Sequence, residues 1–383
     1  MIRTITLKRG KERVAANKHP WIFAGAIQAE RGPEDAPLGV LVDAEGKRVA
    51  SGFYSRHSQI RLRALTFGDE EVTPELIAAR LVRAIARRQH LFADGSTNAA
   101  RLVHAEGDDL SSIVVDRYND VVVVEITNRG AEQFKPLIVE TLQRELAPRT
   151  IFFKNDLPSR ALERLPTGNE GTGAATTILE SGLQFRVDPS EGQKTGFFLD
   201  QRENRRMARS FAAEKRVLNL FSYSGAFGVY AAAGGASSVT NVDISAPAIE
   251  TARMNHELNG TTGEHVVADA FQYVRQRHEP FDLLICDPPA FAKSRGEVER
   301  AARGYKDVNL HAMRMVAPGG LMMTFSCSGH MSLDLFQKVI FAAALDSGRQ
   351  VSFVRRLTAG SDHPVSLYCP EGEYLKGFLL EVR

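Results

Sequence analysis

The sequence predicts an α/β protein in which a small β-barrel and a central α+β domain precede a parallel sheet covered by helices. The sheet is predicted from the regular alternation of short apolar runs with helical stretches in the C-terminal half. Strands of such a sheet are buried on both faces, so each run is continuous rather than alternating. Five runs have this character: VLNLF (217–221), VTNVD (239–243), HVVAD (265–269), DLLIC (282–286) and LMMTF (321–325). Two more runs, VSFVRRL and GFLLEV, predict closing strands.

Residues 1–72 predict the barrel, because apolar residues alternate there with polar or basic ones and no long helical period occurs. The strand segments are ITLKRG, GVLVDAEGKRVASGFY and QIRLRAL. Bases outnumber acids as far as Glu30, which favours a surface facing a polyanion over an ordinary solvated face, although both fit the pattern. The strand segments of residues 1–72 carry the bases Lys8, Arg9, Lys11, Arg13, Arg56, His57, Arg61 and Arg63.

Residues 73–188 predict the central α+β domain. A helix begins at Pro74, and the runs SSIVVD and VVVVEIT form a hairpin around the turn RYND. A second helix from about Ala131 to Leu146, a strand at TIFFKN, a loop at 166–177 and a closing pair at ILESGLQFRVD complete the domain. The segment contains no recognisable catalytic constellation, so its predicted role is structural. The sheet domain occupies residues 189–383.

Composition excludes several classes of protein. The formal net charge is only +2, so the position of the bases says more than their number. The three cysteines, Cys286, Cys327 and Cys369, cannot form a disulfide framework and lack metal-ligand spacing, which indicates a reducing compartment and no metal. The N-terminus has no signal-peptide core and no apolar run reaches membrane-spanning length. We therefore expect a cytoplasmic protein without membrane contact.

Candidate ligand-binding residues follow the first three strands, because open α/β sheets bind ligands beyond the carboxyl ends of their strands. The first strand leads into the small-residue loop 222–228, whose spacing differs from GxGxxG and argues against a nicotinamide cofactor. The second strand ends at Asp243, which could accept hydrogen bonds from ribose hydroxyls or cap the next helix. The third ends at Asp269, which could hold an adenine amino group or cap a helix, and both interpretations remain open.

The fourth strand is followed by the strongest local signal, the segment Asp287-Pro288-Pro289-Ala290-Phe291-Ala292-Lys293-Ser294. Two prolines make this turn rigid beside a carboxylate, which suits the polar edge of a planar base. The fifth strand ends before Cys327, and strands four and five are neighbours in a doubly wound sheet, so Cys327 is expected to face Asp287. A thiolate at this position could attack a substrate, whereas Cys286 is predicted to be a buried hydrophobe.

Taken together, these segments resemble the bacterial ribosomal RNA large-subunit cytosine-5 methyltransferases. The resemblance rests on GQKTGFFLDQRENR, NLFSYSGAFG, NVDIS, DPPAFAKS and FSCSG, and on HPWIFAGAI and GFYSRHSQIRLR near the N-terminus. It implies an RNA-binding PUA domain, a central domain and a Rossmann-like methyltransferase domain that uses S-adenosylmethionine. It also implies large-subunit ribosomal RNA as the partner, and leaves open whether the chain forms a homodimer.

The resemblance assigns residues to each role. The implied cofactor-binding residues are Ser222, Tyr223, Gly225, Asp243, Ile244, Asp269, Ala270, Asp287, Asp200 and Arg202. For Asp200, helix capping is the competing interpretation. The implied substrate-binding residues are Pro288, Pro289, Phe291 and Lys293, and the implied catalytic residues are Cys327 and Asp287.

The implied mechanism begins with attack of Cys327 on cytosine C6, which makes C5 nucleophilic, while Asp287 hydrogen-bonds the N3/N4 edge. Some RNA cytosine-5 methyltransferases have a second cysteine directly after Asp-Pro-Pro. This chain has Ala290 there, so the base that removes the C5 proton is not identified. The alternatives are an amino-group or purine RNA methyltransferase, a small-molecule methyltransferase, and a non-catalytic RNA-binding protein.

Overall fold

The computed structural model describes residues 1–192, 195–276, 279–292 and 294–383. The chain separates into two compact units. The N-terminal unit consists of Met1–Ile178, Val187–Phe197 and Ser361–Gly372, and the C-terminal unit of Leu179–Arg186, Phe198–Gly360 and Glu373–Arg383. The first unit contains the predicted barrel and the predicted central domain except for Leu179–Arg186. The three-domain division at residues 72 and 188 therefore stays a proposal, based on the separate sheets described below.

The first 67 residues form a six-stranded sheet with the order β2-β6-β5-β4-β1-β3. Its strands and one short helix are β1 (Ile2–Leu7), α1 (Arg13–Ala16), β2 (Trp21–Phe23), β3 (Ile27–Arg31), β4 (Leu38–Val42), β5 (Arg48–Tyr54) and β6 (Ile60–Phe67). The outermost strands, β2 and β3, are consecutive in the chain and joined only by Ala24–Ala26, so the sheet must curl. Its core includes Ile5, Leu41 and Leu62. Strands β2 and β3 were not predicted from the sequence.

A four-stranded sheet follows, with the order β10-β9-β8-β7. Its elements are α2 (Pro74–Arg87), β7 (Ala99–His104), β8 (Ile113–Tyr118), β9 (Val121–Ile126), α3 (Arg129–Glu132), α4 (Lys135–Leu146), β10 (Thr150–Phe153) and α5 (Pro158–Leu162). Helix α2 begins as predicted, since the Thr73 hydroxyl accepts a hydrogen bond from the Leu76 N–H at 3.2 Å. The hairpin of β8 and β9 is confirmed.

The helix predicted from Ala131 to Leu146 is interrupted. Asn128 caps α3 by accepting hydrogen bonds from the backbone N–H groups of Gly130 and Ala131. Pro136 has no N–H to donate to the carbonyl of Glu132, so a continuous helix would lose a hydrogen bond there. The chain instead begins α4 afresh with Pro136 in its first turn.

The C-terminal unit contains the predicted α/β sheet. A hairpin precedes it, formed by β11 (Thr176–Glu180) and β12 (Leu183–Val187), whose outer ends belong to the N-terminal unit. The remaining elements are α6 (Arg202–Ser210), β13 (Arg216–Leu220), α7 (Ala226–Ala233), β14 (Ser238–Asp243), α8 (Ala246–Leu258), β15 (Glu264–Val267), α9 (Ala270–Tyr273), β16 (Phe281–Cys286), α10 (Val298–Met315), β17 (Val316–Ser326), α11 (Leu333–Ser347), β18 (Val351–Leu357) and β19 (Lys376–Val382).

The strand order of this sheet is β15-β14-β13-β16-β17-β19-β18. The first five strands in that order pair in parallel, and β19 lies antiparallel between β17 and β18. All seven strands predicted from the apolar runs are confirmed. Chain order reverses between β13 and β16, so this is the switch point at which open α/β sheets bind ligands. Buried cores lie against both faces of the sheet.

No helix within the described part of the chain combines the length and apolar character needed to cross a bilayer.

Gly52 provides a test of the barrel packing. A Cβ atom there would lie 1.9 Å from the Arg63 carbonyl oxygen on the paired strand β6, whereas one at Gly25 would meet nothing within 4 Å. We expect Gly52→Ala to lower the free energy of unfolding by about 2 kcal/mol or more, because the backbones must separate, and Gly25→Ala to change it by less than about 0.5 kcal/mol. Urea titration followed by fluorescence of Trp21, the single tryptophan, reports on this barrel directly. Equal stability of the two variants would contradict the described packing.

Candidate active site at the strand ends of the C-terminal unit

The candidate site lies where parallel strands end together. Leu220 of β13 is in register with Val242 of β14 and with Cys286 of β16. Cys286 is in turn in register with Thr324 of β17. The segments that follow these four strands therefore leave the sheet at one edge. This arrangement brings the predicted loop, Asp243, the Asp-Pro-Pro turn and Cys327 to the same end of the sheet.

The loop after β13 has a strained backbone. Phe221, Tyr223 and Gly225 have φ angles of +55°, +46° and +74°, so two residues with side chains occupy the left-handed region. Such conformations cost about 1 kcal/mol or more each and persist only where surrounding contacts impose them. Here Asp243 Oδ2 accepts a hydrogen bond from the Tyr223 N–H at 2.8 Å, and the Asn255 side chain donates to the Ser224 carbonyl at 2.9 Å.

The glycines of this loop serve packing as well as backbone freedom. A Cβ at Gly225 would lie 2.6 Å from that of Ala252 on α8, and one at Gly228 would lie 2.2 Å from Asn241 Oδ1. The sequence analysis attributed the small residues to close approach of a ligand. In the structure these two positions are filled by the protein itself.

Asp243 is not a helix cap, because Ser245 caps α8. Its Oδ1 atom accepts a hydrogen bond from the Ser245 N–H at 2.9 Å, which adds to the bond from Tyr223 at Oδ2. Each carboxylate oxygen has two acceptor sites, so the carboxylate can also accept hydroxyl donors from a ligand. The next residue, Ile244, is 71% exposed, which is an unusual apolar exposure beside an acid.

Asp269 is a helix cap, which was one of its two predicted roles. Its Oδ1 atom accepts hydrogen bonds from the N–H groups of Phe271 at 2.7 Å and Gln272 at 3.3 Å. Both bonds use the same oxygen, so Oδ2 lies outside the cap. Ala270, which follows it, is buried.

Three aromatic rings line the same region of the site. The ring centroid of Phe221 lies 6.0 Å from that of Phe271 and 6.5 Å from that of Phe291, and the last two are 5.8 Å apart. Phe291 also packs against Tyr305 at 4.6 Å. Phe291 was predicted to bind the substrate. The structure places it beside the residues that follow β13 and β15.

One polar atom in the loop is available for a ligand. The Ser222 hydroxyl oxygen is buried and has no hydrogen-bond partner among the described residues. Buried hydroxyl groups normally have a partner, so this atom indicates a bound group or an ordered water. Together with the acids and the aromatic rings, it fits a ligand that carries both a flat ring and polar substituents.

Asp287 is held by a residue that the sequence analysis did not identify. Gln201 donates from Nε2 to Asp287 Oδ2 at 2.9 Å. Asn204 in turn donates to Gln201 Oε1 at 2.6 Å and to the Thr358 carbonyl at 3.1 Å. Gln201 stands between Asp200 and Arg202 in the segment LDQREN. Its position between two predicted site residues could have identified it from the sequence.

Asp200 and Arg202 are both buried in the C-terminal unit. Asp200 accepts a hydrogen bond from the Tyr374 hydroxyl at 2.6 Å and does not cap α6, whose cap residue is Gln201. Arg202 lies 3.3 Å from the Glu203 carboxylate. Both side chains therefore have protein partners, and their contact with a cofactor stays a prediction.

Cys327 differs from the other two cysteines in its exposure. It is only partly buried, and its sulfur lies 3.9 Å from the Pro288 carbonyl oxygen in the rigid turn. Cys286 is fully buried, and burial raises its pKa far above the ordinary thiol value. Cys369 belongs to the N-terminal unit, and burial with the neighbouring Glu106 and Glu371 carboxylates raises its pKa to about 12. Pro289 follows Pro288 in the turn, and Lys293 lies outside the described residues.

A different group, in the N-terminal unit, has the ligand types that metals prefer. His19, Cys369 and Glu371 place one ligand atom each within 4.8 Å of one another. However, the Trp21 N–H donates to His19 Nδ1 at 3.1 Å, which leaves the ring proton on Nε2. That nitrogen then donates to Glu371 at 3.2 Å rather than offering a lone pair to a metal ion. The arrangement is better described as a hydrogen-bonded cluster.

The basic residues of the barrel do not form one uniform surface. Arg61 pairs with Glu30 at 3.0 Å, and Arg63 pairs with the buried Glu163 at 3.3 Å. Arg56 contacts Glu34, and Arg9 contacts Glu45. Lys8, Lys11 and Arg13 are exposed near the N-terminus. The predicted polyanion-facing surface is therefore narrower than the sequence indicated.

Comparisons with known proteins agree with this description. A family model described as S-adenosylmethionine-dependent methyltransferase matches residues 155–366, and one for a PUA-like domain matches residues 5–67. The chain is 42% identical to ribosomal RNA large subunit methyltransferase I of Shewanella denitrificans over 392 residues, covering 99% of both chains. It is also 42% identical to the protein of that name from Photobacterium profundum over 397 residues, covering 100% of both.

Two solved structures share the fold along the whole chain. One is a methyltransferase complexed with SAH, with 23% identity and a TM-score of 0.85, and each chain is covered completely. The other is described as a SAM-dependent methyltransferase from Streptococcus mutans, with 22% identity, a TM-score of 0.84 and the same coverage.

A buried ladder of polar side chains supports the strands beneath the site. Asn219 of β13 donates to Asn241 Oδ1 of β14 at 2.9 Å, and Asn241 Nδ2 lies 3.1 Å from His256 Nε2 on α8. His256 Nδ1 lies 3.0 Å from the Thr261 hydroxyl. Since Asn241 donates its amide proton, His256 must be neutral with its proton on Nδ1. Accordingly, burial and, to a smaller extent, the nearby His265 lower the pKa of His256 to about 4.

This ladder makes stability depend on pH. Between the ordinary histidine pKa of 6.5 and the folded value of about 4, the unfolded chain binds a proton that the folded chain does not. Acidification from about pH 7 to about pH 5 should therefore cost about 2 kcal/mol through this residue. We expect His256→Gln, which does not titrate, to reduce the acid sensitivity in urea titrations followed by circular dichroism. His90→Gln, at an exposed histidine, should not. An unchanged pH slope in His256→Gln would disprove this assignment.

Proposed function

We propose that this chain, which belongs to the S-adenosylmethionine-dependent methyltransferase family, forms 5-methylcytosine in large-subunit ribosomal RNA through a covalent adduct with Cys327. Membership rests on the family match and on full-length relatives at 42% identity. Those relatives are named as methyltransferases of large-subunit ribosomal RNA, which supports the substrate class. The base and the atom that are methylated are our inference from the site.

The observation that carries this proposal is the position of Cys327. It is the partly exposed cysteine at the strand ends, and it adjoins the Asp-Pro-Pro turn, with its sulfur 3.9 Å from the Pro288 carbonyl. A methyltransferase that acts on an amino group has no need of a thiol there. Carbon 5 of cytosine is a poor nucleophile, so addition of a thiolate at C6 gives the cysteine a chemical purpose.

The cofactor supplies an electrophilic methyl group on a sulfonium centre when it is bound. The residues that would hold it are those that surround the loop and the strand ends: Ser222, Tyr223, Gly225, Asp243, Ile244, Asp269, Ala270, Asp287, Asp200 and Arg202. The buried Ser222 hydroxyl without a partner fits such a polar ligand. The oxygen of Asp269 that lies outside the cap, and the nearby aromatic rings, fit an adenine.

The protein groups act in a definite order. The thiolate of Cys327 forms a bond to C6, and the displaced electron pair makes C5 nucleophilic. Asp287, held by Gln201 at 2.9 Å, would hydrogen-bond the N3/N4 edge and so orient the base for the attack at C6. After methyl transfer, loss of the C5 proton returns its electron pair to the ring and breaks the bond between sulfur and C6.

The Asp-Pro-Pro turn and the PUA-like domain are assigned to the RNA substrate. Pro288, Pro289, Phe291 and Lys293 would surround the target base. Ala290 stands where some RNA cytosine-5 methyltransferases have a second cysteine. A residue other than a second thiol, or a water molecule, must therefore take the C5 proton. The exposed lysines of the PUA-like domain, Lys8 and Lys11, would bind the RNA backbone.

Replacement of the unpartnered hydroxyl tests the cofactor site. Ser222→Ala removes no protein hydrogen bond, so the unfolding midpoint of the free protein should not fall. Affinity for S-adenosylmethionine in calorimetry should fall by about five- to tenfold, which corresponds to one lost hydrogen bond. Ser210→Ala, at an exposed serine in α6, is the matched control. Unchanged affinity in Ser222→Ala would remove this residue from the cofactor site.

Replacement of the proposed nucleophile tests the reaction. Cys327→Ala should reduce transfer of a labelled methyl group to large-subunit ribosomal RNA by at least about a hundredfold, because no adduct can form. Nucleoside mass spectrometry should identify the wild-type product as 5-methylcytidine. Cys369→Ala, at a cysteine in the N-terminal unit, should remain active. Full activity of Cys327→Ala, or a product methylated on an amino group or a purine, would favour a non-covalent methyltransferase.

A further inference from the structure

A buried lysine contacts the chain around Cys327. Lys376 begins β19 and is only 4% exposed. Its backbone pairs with Ser326 of β17, and its ammonium group donates to the Ser328 carbonyl at 2.9 Å. Lys376 therefore contacts the residues on both sides of Cys327. The antiparallel strand β19 brings it there, although the two residues are far apart in the sequence.

A lysine is rarely buried without an anionic partner, because removal of an ammonium group from water is costly. The carbonyl of Ser328 is neutral and does not balance the charge. Burial is the largest effect on the pKa of Lys376 and holds it below the ordinary lysine value. The negative charges of Cys327 and Glu373 act in the opposite direction and favour the ammonium form.

Residues of α10 and of the turn after β16 also contact the segment that carries Cys327. The hydroxyl group of Tyr305 on α10 lies 3.1 Å from Ser328 Oγ. Burial is the main cause of the raised pKa of Tyr305, and the charge of Cys327 adds to it. The Ala292 N–H donates to the same Ser328 hydroxyl at 3.2 Å. On the turn after β16, Asp287 is the charged group among the described residues. Lys376 is thus a buried cation on a neighbouring strand, and its ammonium group is hydrogen-bonded to the residue that follows Cys327.

We propose that Lys376 is a positioning residue whose ammonium group stabilises the thiolate form of Cys327 and fixes the segment that carries it. The thiol gives its proton to water, and Lys376 keeps its three protons and forms no covalent bond. The proposal rests on the proposed function, in which Cys327 is the nucleophile. It also gives the thiol a route to reactivity near neutral pH, since a cation close to a thiol favours its ionised form.

The test measures the pH dependence of Cys327 alkylation in the full-length protein without RNA or cofactor. Iodoacetamide reacts with the thiolate, and peptide mass spectrometry quantifies Cys327 separately from the buried Cys286. In Lys376→Met the midpoint of the alkylation profile should move to higher pH by about one unit or more. In Lys376→Arg, which keeps the positive charge, the midpoint should lie close to the wild-type value. Lys338→Met removes an exposed lysine of α11 in the same unit and should leave the profile unchanged.

An unchanged midpoint in Lys376→Met would overturn the proposal, as would equal shifts in Lys376→Met and Lys338→Met. If Lys376→Met does not fold, the wild-type profile still decides, because a Cys327 midpoint at or above the ordinary thiol value of about 8.5 contradicts a stabilised thiolate. The alkylation profile can be interpreted whether or not the protein methylates cytosine through a covalent adduct. Methylation by Cys327→Ala would refute the covalent mechanism, whereas a lysine-dependent alkylation profile would still support the contact between Lys376 and Cys327.

Discussion

The parallel pairing of β16 with β17 is the constraint on which the candidate site depends. It brings together two segments that are about forty residues apart in the chain, the Asp-Pro-Pro turn and the segment around Cys327. Their register places Cys286 opposite Thr324, so both segments leave the sheet at the same edge. Gln201 and Lys376 then approach this pair from either side, from the start of α6 and from β19. Each would be without a partner if the pairing shifted.

The backbone conformation of the loop after β13 is imposed by surrounding residues rather than by the conformational preferences of its own residues. Phe221 and Tyr223 adopt left-handed backbone conformations that residues with side chains avoid. Asp243 from β14 and Asn255 from α8 supply the hydrogen bonds that hold them. The same helix contributes His256 to the ladder that joins β13 and β14. Helix α8 therefore holds both the two strands and the loop through its side chains.

The sequence was sufficient for the features that depend on local pattern. Continuous apolar runs predicted the strands of the C-terminal sheet, and the placement of Asp287 next to Cys327 followed from the doubly wound strand order. Features that depend on a distant partner could not be predicted. The pairing of Arg63 with Glu163 and the contact of Gln201 with Asp287 join residues that no local period relates. The capping role of Ser245, rather than Asp243, depends on where α8 begins, and helix ends are poorly defined by sequence.

The difference between Cys286 and Cys327 shows how position at a strand end determines chemistry. Cys286 is the last residue of β16, where the covering helices bury it and raise the pKa of its thiol. Cys327 lies one residue beyond the end of β17, so it is only partly buried against the core and lies at the edge where a substrate could approach. The antiparallel insertion of β19 brings a positive charge to that edge, because it places the ammonium group of Lys376 against the segment that carries the thiol. A seventh strand in this sheet therefore has a chemical consequence as well as a structural one.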